Sequence, residues 1–310
     1  MFGKMMNRYY YGKSGKGDYT KDDLPETRWQ LFWEMLRVRF SALMRLNLMY
    51  VVVWLPTMIV LMMGVLGIFS GLITEEGELV ANAADVLYSI INSTLLLLIP
   101  CIAITGIATP GVAYVTRNWS RDEHAFIWSD FKDATKDNWK QGVLTSVLTS
   151  VMPLIVYLGW NFYGEYALTS PLMTIPQVLV LMIGILWAIS VTYMHPLIVS
   201  YKLSFKGVMR NALLLAIARL PMSVGIRLLH CLPTAIALGL AFVTNPLYCV
   251  LGLFLYYLLI GFSLSRFITA SFTNGVFDRY INSRIEGAVV NRGLNTEVDD
   301  DDEYEETEEE

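Results

Sequence analysis

The chain has 310 residues, of which 55% are hydrophobic and only 16% are charged, with a formal net charge of −5. A soluble domain of this composition would carry more apolar surface than its core could bury. Composition therefore excludes an ordinary soluble protein, and we expect the lipid bilayer as the main partner, with no role in nucleic-acid binding.

Six long apolar stretches follow one another along the chain. Each has about 18 or more residues, which is enough for a helix to cross the roughly 30 Å hydrocarbon core of a bilayer. A helix is also the expected structure in lipid, because each backbone polar group must be satisfied within its own segment. The sequence thus predicts an all-α, polytopic membrane protein with spans at about 46–74, 85–115, 143–160, 174–201, 222–243 and 247–270.

Positive charge defines the predicted orientation of these spans. A six-pass arrangement places all 23 Lys and Arg residues on one side of the membrane. The loops on the other side carry Glu75, Glu76, Glu78 and Glu165 and no Lys or Arg. Because cytoplasmic loops are enriched in Lys and Arg, both termini are predicted to be cytoplasmic. Arg227 and Arg266 lie one or two turns inside the cytoplasmic ends of their spans, where their side chains can snorkel.

Two predicted cytoplasmic segments have aromatic stripes at helical spacing. The first, residues 28–45, includes Trp29 and Trp33 and runs directly into the first span; the second, residues 127–139, includes Trp128, Phe131 and Trp139. Both patterns are typical of amphipathic helices that lie at the membrane interface. Two interpretations remain open for these aromatic residues: anchoring at the interface, or docking of a partner protein.

A few polar side chains fall inside the predicted spans. His195, His230, Arg227 and Asn92 are the candidates for a functional intramembrane site, since ionisable groups are costly in lipid. The alternative is that they make hydrogen bonds between helices. Prolines occur in most spans and can break helices around transporter sites, but they are also common in ordinary membrane helices.

The predicted domain organisation has three parts. Residues 1–27 form a basic cytoplasmic segment, residues 28–284 form the six-helix membrane domain, and residues 285–310 form an acidic cytoplasmic tail. Runs of like charge such as Asp299 to Asp302 repel one another, so we expect the tail to be disordered.

Motifs for catalysis, phosphate binding and zinc binding are missing from the sequence. There is no GxxxxGK[ST] loop, no HExxH, no zinc-type Cys pair and no GxSxG elbow. We therefore expect a protein that is not an enzyme, with no cofactor and no metal site.

Several blocks of sequence resemble the YesL-like family of uncharacterised bacterial membrane proteins. They are NRYYYGKSGKGDY (Asn7 to Tyr19), RWQLFWEMLRVRF (Arg28 to Phe40), LNLMYVVVWLP (Leu46 to Pro56), TGIATPGVAYVTRNW (Thr105 to Trp119), WSDFKDATKDNWKQG (Trp128 to Gly142) and MRNALLLAIARLP (Met209 to Pro221). The resemblance extends over nearly the whole chain to about Arg284. One departure is the TPG block around Pro110, where the family pattern would have GPA, and its role stays open.

The resemblance implies a location in the bacterial cytoplasmic membrane and a link to carbohydrate use. Members of this family are commonly encoded beside sugar importers of the ATP-binding cassette (ABC) type and glycoside hydrolases. The prediction is an accessory component of carbohydrate uptake, with permease or ATPase subunits of such an importer as partners. Two alternatives stay open. The proline-containing spans and the two histidines favour an independent small-solute transporter, and the aromatic and basic cytoplasmic surfaces favour a scaffold or sensor.

Overall fold

A computed structural model describes residues 24–72 and 78–295. Its regular structure is helical, and six helical segments are long and apolar enough to cross a membrane, which confirms the prediction of an all-α protein with six candidate spans. The α-helices are α1 (Arg28–Leu72), α2 (Ala83–Thr105), α3 (Thr109–Trp119), α4 (Ser129–Ala167), α5 (Thr174–Ser200), α6 (Phe205–Ala218), α7 (Leu220–Ala241), α8 (Pro246–Tyr256) and α9 (Phe262–Tyr280). A π-helical turn, Tyr257–Gly261, joins α8 to α9, and 3₁₀ turns lie at Pro171–Met173 and Asn282–Arg284.

The second predicted span is wrong at its C-terminal end. A single helix was predicted over residues 85–115, but α2 ends at Thr105 and α3 begins at Thr109. Pro110 lies in the first turn of α3, where its missing N–H does no harm, although the same residue would break a continuous helix. The Thr109 hydroxyl also donates to the Thr105 carbonyl (2.7 Å), and such local bonds compete with the regular helical pattern.

Two of the helices are far longer than a bilayer is thick. α1 has 45 residues and α4 has 39, which correspond to about 68 and 58 Å at a rise of 1.5 Å per residue. The predicted interfacial segments 28–45 and 127–139 are therefore not separate helices lying on the membrane. Residues 28–45 are the first part of α1, and from Ser129 onward the second segment is the first part of α4. These parts continue the spans instead of turning along the surface.

Most of the tightly packed core lies at one end of the molecule. We call this end the basal layer; it comprises residues 28–45, 106–142, 201–219 and 267–295. One buried cluster joins α1, α3 and α9 through residues such as Leu43, Val115 and Phe267, and it extends into the neighbouring part of the spans. A second cluster joins α5, α6 and α9 around Leu197 and Phe277. By contrast, no more than 22% of the apolar window of any spanning helix is buried.

Backbone contact between two glycines fixes the position of α4 against the connection from α2 to α3. A side chain at Gly106 would collide with the backbone of Gly142 and Val143, and a side chain at Gly142 would collide with the Gly106 carbonyl and the Pro110 ring. A side chain at Gly111 would likewise overlap Phe131. The TPG block thus packs α3 on α4, which gives a structural role to the departure from the family pattern.

Asp278 is the centre of a polar network in the basal layer. This carboxylate is 4% exposed and accepts hydrogen bonds from the Arg28 guanidinium (2.7 Å), the Asn282 amide (2.6 Å) and the Asn291 backbone N–H (3.2 Å). The Tyr201 hydroxyl donates to the Asn282 side chain at 2.7 Å. Burial raises the pKa of Tyr201 to about 12, so this phenol stays protonated as a donor.

The network also holds a segment that the sequence assigned to the disordered tail. Asn291 accepts a hydrogen bond from Arg28 (2.7 Å), Leu294 packs on the first core cluster, and the Asn295 N–H donates to the Pro25 carbonyl (2.9 Å). For residues 285–295, therefore, the prediction of disorder is wrong. Residues 296–310 lie outside the described residues, as do the basic segment 1–23 and the acidic loop residues Glu75 and Glu76.

The glycine contact can be tested with two alanine substitutions. Gly142→Ala should lower the free energy of unfolding by about 1–3 kcal/mol, because its methyl group overlaps the Gly106 and Pro110 atoms. Gly225→Ala is the matched control: Gly225 lies within α7 with no atom within 4 Å of an added methyl group, and alanine is the better helix former. Thermal unfolding in detergent measures both. Equal melting temperatures for the two variants would show that α4 does not depend on this contact.

Candidate functional site

Three of the predicted docking tryptophans are strongly exposed. The exposed fractions are 68% for Trp29, 51% for Trp33 and 66% for Trp128. Trp29 and Trp33 contact each other edge to face, with ring centroids 5.4 Å apart. Their neighbour Phe32 turns inward and stacks on Phe267 of α9 (5.5 Å), which holds the start of α1 in place. We group Trp29, Trp33 and Trp128 by their exposure and call them the tryptophan surface.

The other two predicted docking residues have different environments. Phe131 is half-buried and packs against α3 and the first core cluster, so it contributes to the fold of the basal layer. Trp139 is 45% exposed but lies only four residues before the apolar part of α4, which begins at Val143. That is about 6 Å along the helix axis, a suitable depth for a tryptophan that anchors a helix at the headgroups.

The tryptophan surface lies well before the apolar parts of its helices. Trp33 lies 12 residues before Arg45, the last basic residue ahead of the apolar part of α1, or about 18 Å along the axis. At the same rise of 1.5 Å per residue, Trp128 lies about 22 Å before Val143. The headgroup region is only about 5–8 Å deep on each side, and an ordinary tilt of about 20° shortens these distances little. Trp29 is still farther from the apolar part of α1.

A second candidate site is a cavity of about 530 Å³ between α1, α5, α7, α8 and α9. It brings together Arg227 and His230, two of the predicted intramembrane residues, with Arg266. Arg227 and His230 are three residues apart on α7 and therefore share a face of the helix, while Arg266 comes from α9. The site is thus built from helices that are far apart in sequence.

Hydrogen bonds hold the two α7 side chains in place. Arg227 donates to the Ala188 carbonyl and, at 2.9 Å, to the Thr192 hydroxyl, both on α5. The His230 Nε2 lies 3.1 Å from the Ser265 carbonyl oxygen. Because a carbonyl only accepts, we assign the proton of this hydrogen bond to Nε2. α7 is thereby fixed against α5 on one side and α9 on the other.

The other two predicted intramembrane residues are not among the cavity-lining residues. Asn92 donates to the Tyr88 carbonyl (3.0 Å), one turn earlier in α2. His195 is 2% exposed, and neither ring nitrogen has a hydrogen-bond partner in the described part of the chain. It lies close enough to Arg266 for the two to interact electrostatically. His195 therefore lies beside the cavity, near Arg266, without forming its wall.

Asn47 is a functional candidate that the sequence reasoning missed. It is fully buried, and its amide nitrogen donates to the Tyr257 and Leu258 carbonyls (2.9 Å each), while its oxygen accepts from the Ser263 N–H (2.9 Å). The π-helical turn shifts the backbone hydrogen-bonding pattern here, and the Asn47 side chain bonds to backbone carbonyl and N–H groups at and just after this turn. A lone asparagine at the start of an apolar run was the signal that could have found it.

Residues that could bind a metal are not grouped together. Within residues 24–72 and 78–295, no three His, Cys, Asp or Glu side chains come close enough to hold an ion. In the basal layer, burial and then the nearby Arg121 lower the pKa of Arg117, whose guanidinium donates to the Val199 carbonyl at 2.9 Å. This basic group links α3 to the end of α5.

Comparison with known proteins gives one match. Residues 86–160 match the family described as "Protein of unknown function, DUF624". This is the YesL-like family, so the predicted resemblance is confirmed over about a quarter of the chain. The match covers most of α2, all of α3 and most of α4, including the contact between Gly106 and Gly142. No curated protein and no solved structure matches the chain.

The role of Asn47 can be measured with a pair of asparagine variants. Asn47→Ala removes a side-chain donor from two part-buried carbonyls at the π-helical turn and should lower the free energy of unfolding by about 1–3 kcal/mol. Asn92→Ala is the matched control, because Asn92 bonds only within its own helix. Thermal unfolding in detergent should show a clear loss for Asn47→Ala alone. A melting temperature for Asn47→Ala equal to that of the wild type would rule out this role.

Proposed function

We propose that this chain is a non-enzymatic protein of the bacterial cytoplasmic membrane that assists carbohydrate uptake by docking on an ABC-type sugar importer. The observation that carries the proposal is the tryptophan surface, which lies beyond the reach of the headgroups. Large exposed apolar groups are costly in water unless they serve an interface. Tryptophan is also the residue type most enriched among those that dominate binding energy.

The proposal places the basal layer in the cytoplasm. Its support is the charge pattern: the exposed starts of α1 and α4 carry Arg37, Lys132 and Lys136, whereas Glu165 lies at the opposite end of α4. The ATPase subunits of an importer and the cytoplasmic loops of its permease are then on the correct side. The resemblance to a family encoded near sugar importers selects this class of partner among cytoplasmic proteins.

A second candidate function is an independent small-solute transporter, with the tryptophan surface serving another purpose. The observation that favours it is the cavity, which places Arg227 and His230 among the spanning helices. Transport by the purified protein alone in liposomes, abolished by His230→Ala, would replace the accessory role with this one. The accessory role requires that purified protein alone moves no sugar.

Orientation can be tested with single cysteines in a background that lacks Cys101, Cys231 and Cys249. A cysteine at Glu165 should react with an impermeant thiol reagent added to intact cells, and a cysteine at Lys136 should not. Both positions are exposed and lie on α4, so the protein itself shields neither cysteine from the reagent. Labelling of the Lys136 position from outside would overturn the cytoplasmic placement of the basal layer.

Docking can be tested with a Trp29→Leu, Trp33→Leu, Trp128→Leu triple variant. We expect co-purification of the permease or ATPase subunit from gently solubilised membranes to fall by at least about tenfold, because aromatic anchors in interfaces contribute about 2 kcal/mol or more each. Sugar uptake in cells should slow in parallel. The amount of the variant in the membrane should not change, since these side chains are exposed in the isolated chain.

Trp139→Leu is the control for the docking experiment. It removes an exposed tryptophan from α4 close to the apolar part of that helix, and we expect it to leave the partner bound. Loss of the partner in both variants would point to a general effect of removing tryptophan. An unchanged complex in the triple variant would refute the docking proposal.

A further inference from the structure

The cavity has an unbalanced charge. The guanidinium groups of Arg227 and Arg266 line it, and none of its lining residues is Asp or Glu. Arg266 takes part in no hydrogen bond or ion pair within the described residues, so its guanidinium has no structural partner there. Charged groups among spanning helices are costly unless they are paired or hydrated. The arrangement therefore lacks an anion.

Polar atoms without partners accompany the basic groups. Thr57 is 1% exposed, lines the cavity and has a buried hydroxyl with no hydrogen-bond partner. The Trp54 indole N–H and the Arg227 Nε are also buried without a hydrogen-bond partner, and both residues line the cavity. Buried polar groups are normally satisfied, so a concentration of unsatisfied donors around one space indicates a missing acceptor.

Apolar side chains form the rest of the walls. They include Leu61, Phe69, Leu253 and Phe254, while Trp54 and Phe262 stack with centroids 4.6 Å apart. The volume of about 530 Å³ falls within the range of about 300–1,000 Å³ that is usual for small-molecule sites. A ligand would thus meet donors at one part of the cavity and apolar surface over most of the remainder.

We propose that this cavity binds a small amphipathic anion, with one phosphate or carboxylate group on an apolar body. The anionic group would pair with the guanidinium of Arg266, and the apolar body would lie along the apolar side chains of α1 and α8. Two sources supply such chemistry: an anionic membrane lipid and a water-soluble amphiphilic acid. The site goes beyond the docking role, and loss of importer binding would not affect it.

Equilibrium binding of labelled dodecyl phosphate to the full chain in phosphatidylcholine nanodiscs tests the proposal. Empty nanodiscs correct for partition into lipid, and dodecyltrimethylammonium provides the same apolar chain with a positive charge. We expect a saturable protein-dependent component for the anion only. Arg266→Gln should weaken it by at least about tenfold, as loss of a charge-assisted contact would, whereas Arg210→Gln, an exposed site on α6 outside the cavity, should not.

Other outcomes of this experiment would overturn the proposal. They are binding no greater than in empty nanodiscs, equal binding of the cation, and full affinity in Arg266→Gln. If Arg266→Gln does not fold, Ala237→Trp replaces it, because a large ring on this lining residue fills the space; unchanged binding in that variant also refutes the site. Nanodiscs containing phosphatidylglycerol separate the two sources. If this lipid displaces dodecyl phosphate, the ligand of the cavity is an anionic lipid; if dodecyl phosphate stays bound, the ligand is a soluble amphiphilic acid.

Discussion

The buried carboxylate of Asp278 is the interaction on which the arrangement of the basal layer depends. A buried charge is costly unless it is paired and hydrogen-bonded, and here its partners come from the start of α1, the turn after α9 and the backbone at Asn291. The first and last described parts of the chain are thereby joined at one place. The network reaches α5 through Tyr201, so three spanning helices have their ends fixed together.

A fixed basal layer is consistent with a spanning part whose helices present most of their surface outward. Water drives apolar side chains together in the basal layer, but lipid is as apolar as the side chains and provides no such force between spans. The core clusters accordingly lie in the basal layer and in the adjoining turns of α1 and α5, and the spanning windows are mostly exposed. Helices held at one end can leave space between them farther along, and the cavity lies in such a space, between α1, α7 and α8.

The sequence predicts the spans well because length and apolarity are local properties. It predicts the break after Thr105 poorly, since Gly106 and Pro110 are tolerated within membrane helices and only the contact with Gly142 shows why the chain turns there. The pairing of Arg227 with His230 follows from helical spacing, but the addition of Arg266 needs the packing of α7 on α9. The ordered segment 285–295 was missed because its contacts, such as Asn291 with Arg28, join residues far apart in sequence.

α1 connects the two candidate sites physically. It carries Trp29 and Trp33 at its exposed start, Asn47 at the π-helical turn, and Trp54 and Thr57 in the cavity wall. Proximity along a helix does not by itself couple two sites. Coupling requires a structural element with two arrangements, whose equilibrium is shifted by binding at either site. Asn47 joins α1 to the π-helical turn and to the start of α9 through three hydrogen bonds. The Ser263 hydroxyl adds a hydrogen bond to the Leu43 carbonyl (2.8 Å), and Trp54 stacks on Phe262. A movement of α1 that linked docking to the cavity would therefore have to break these contacts or carry the start of α9 with it.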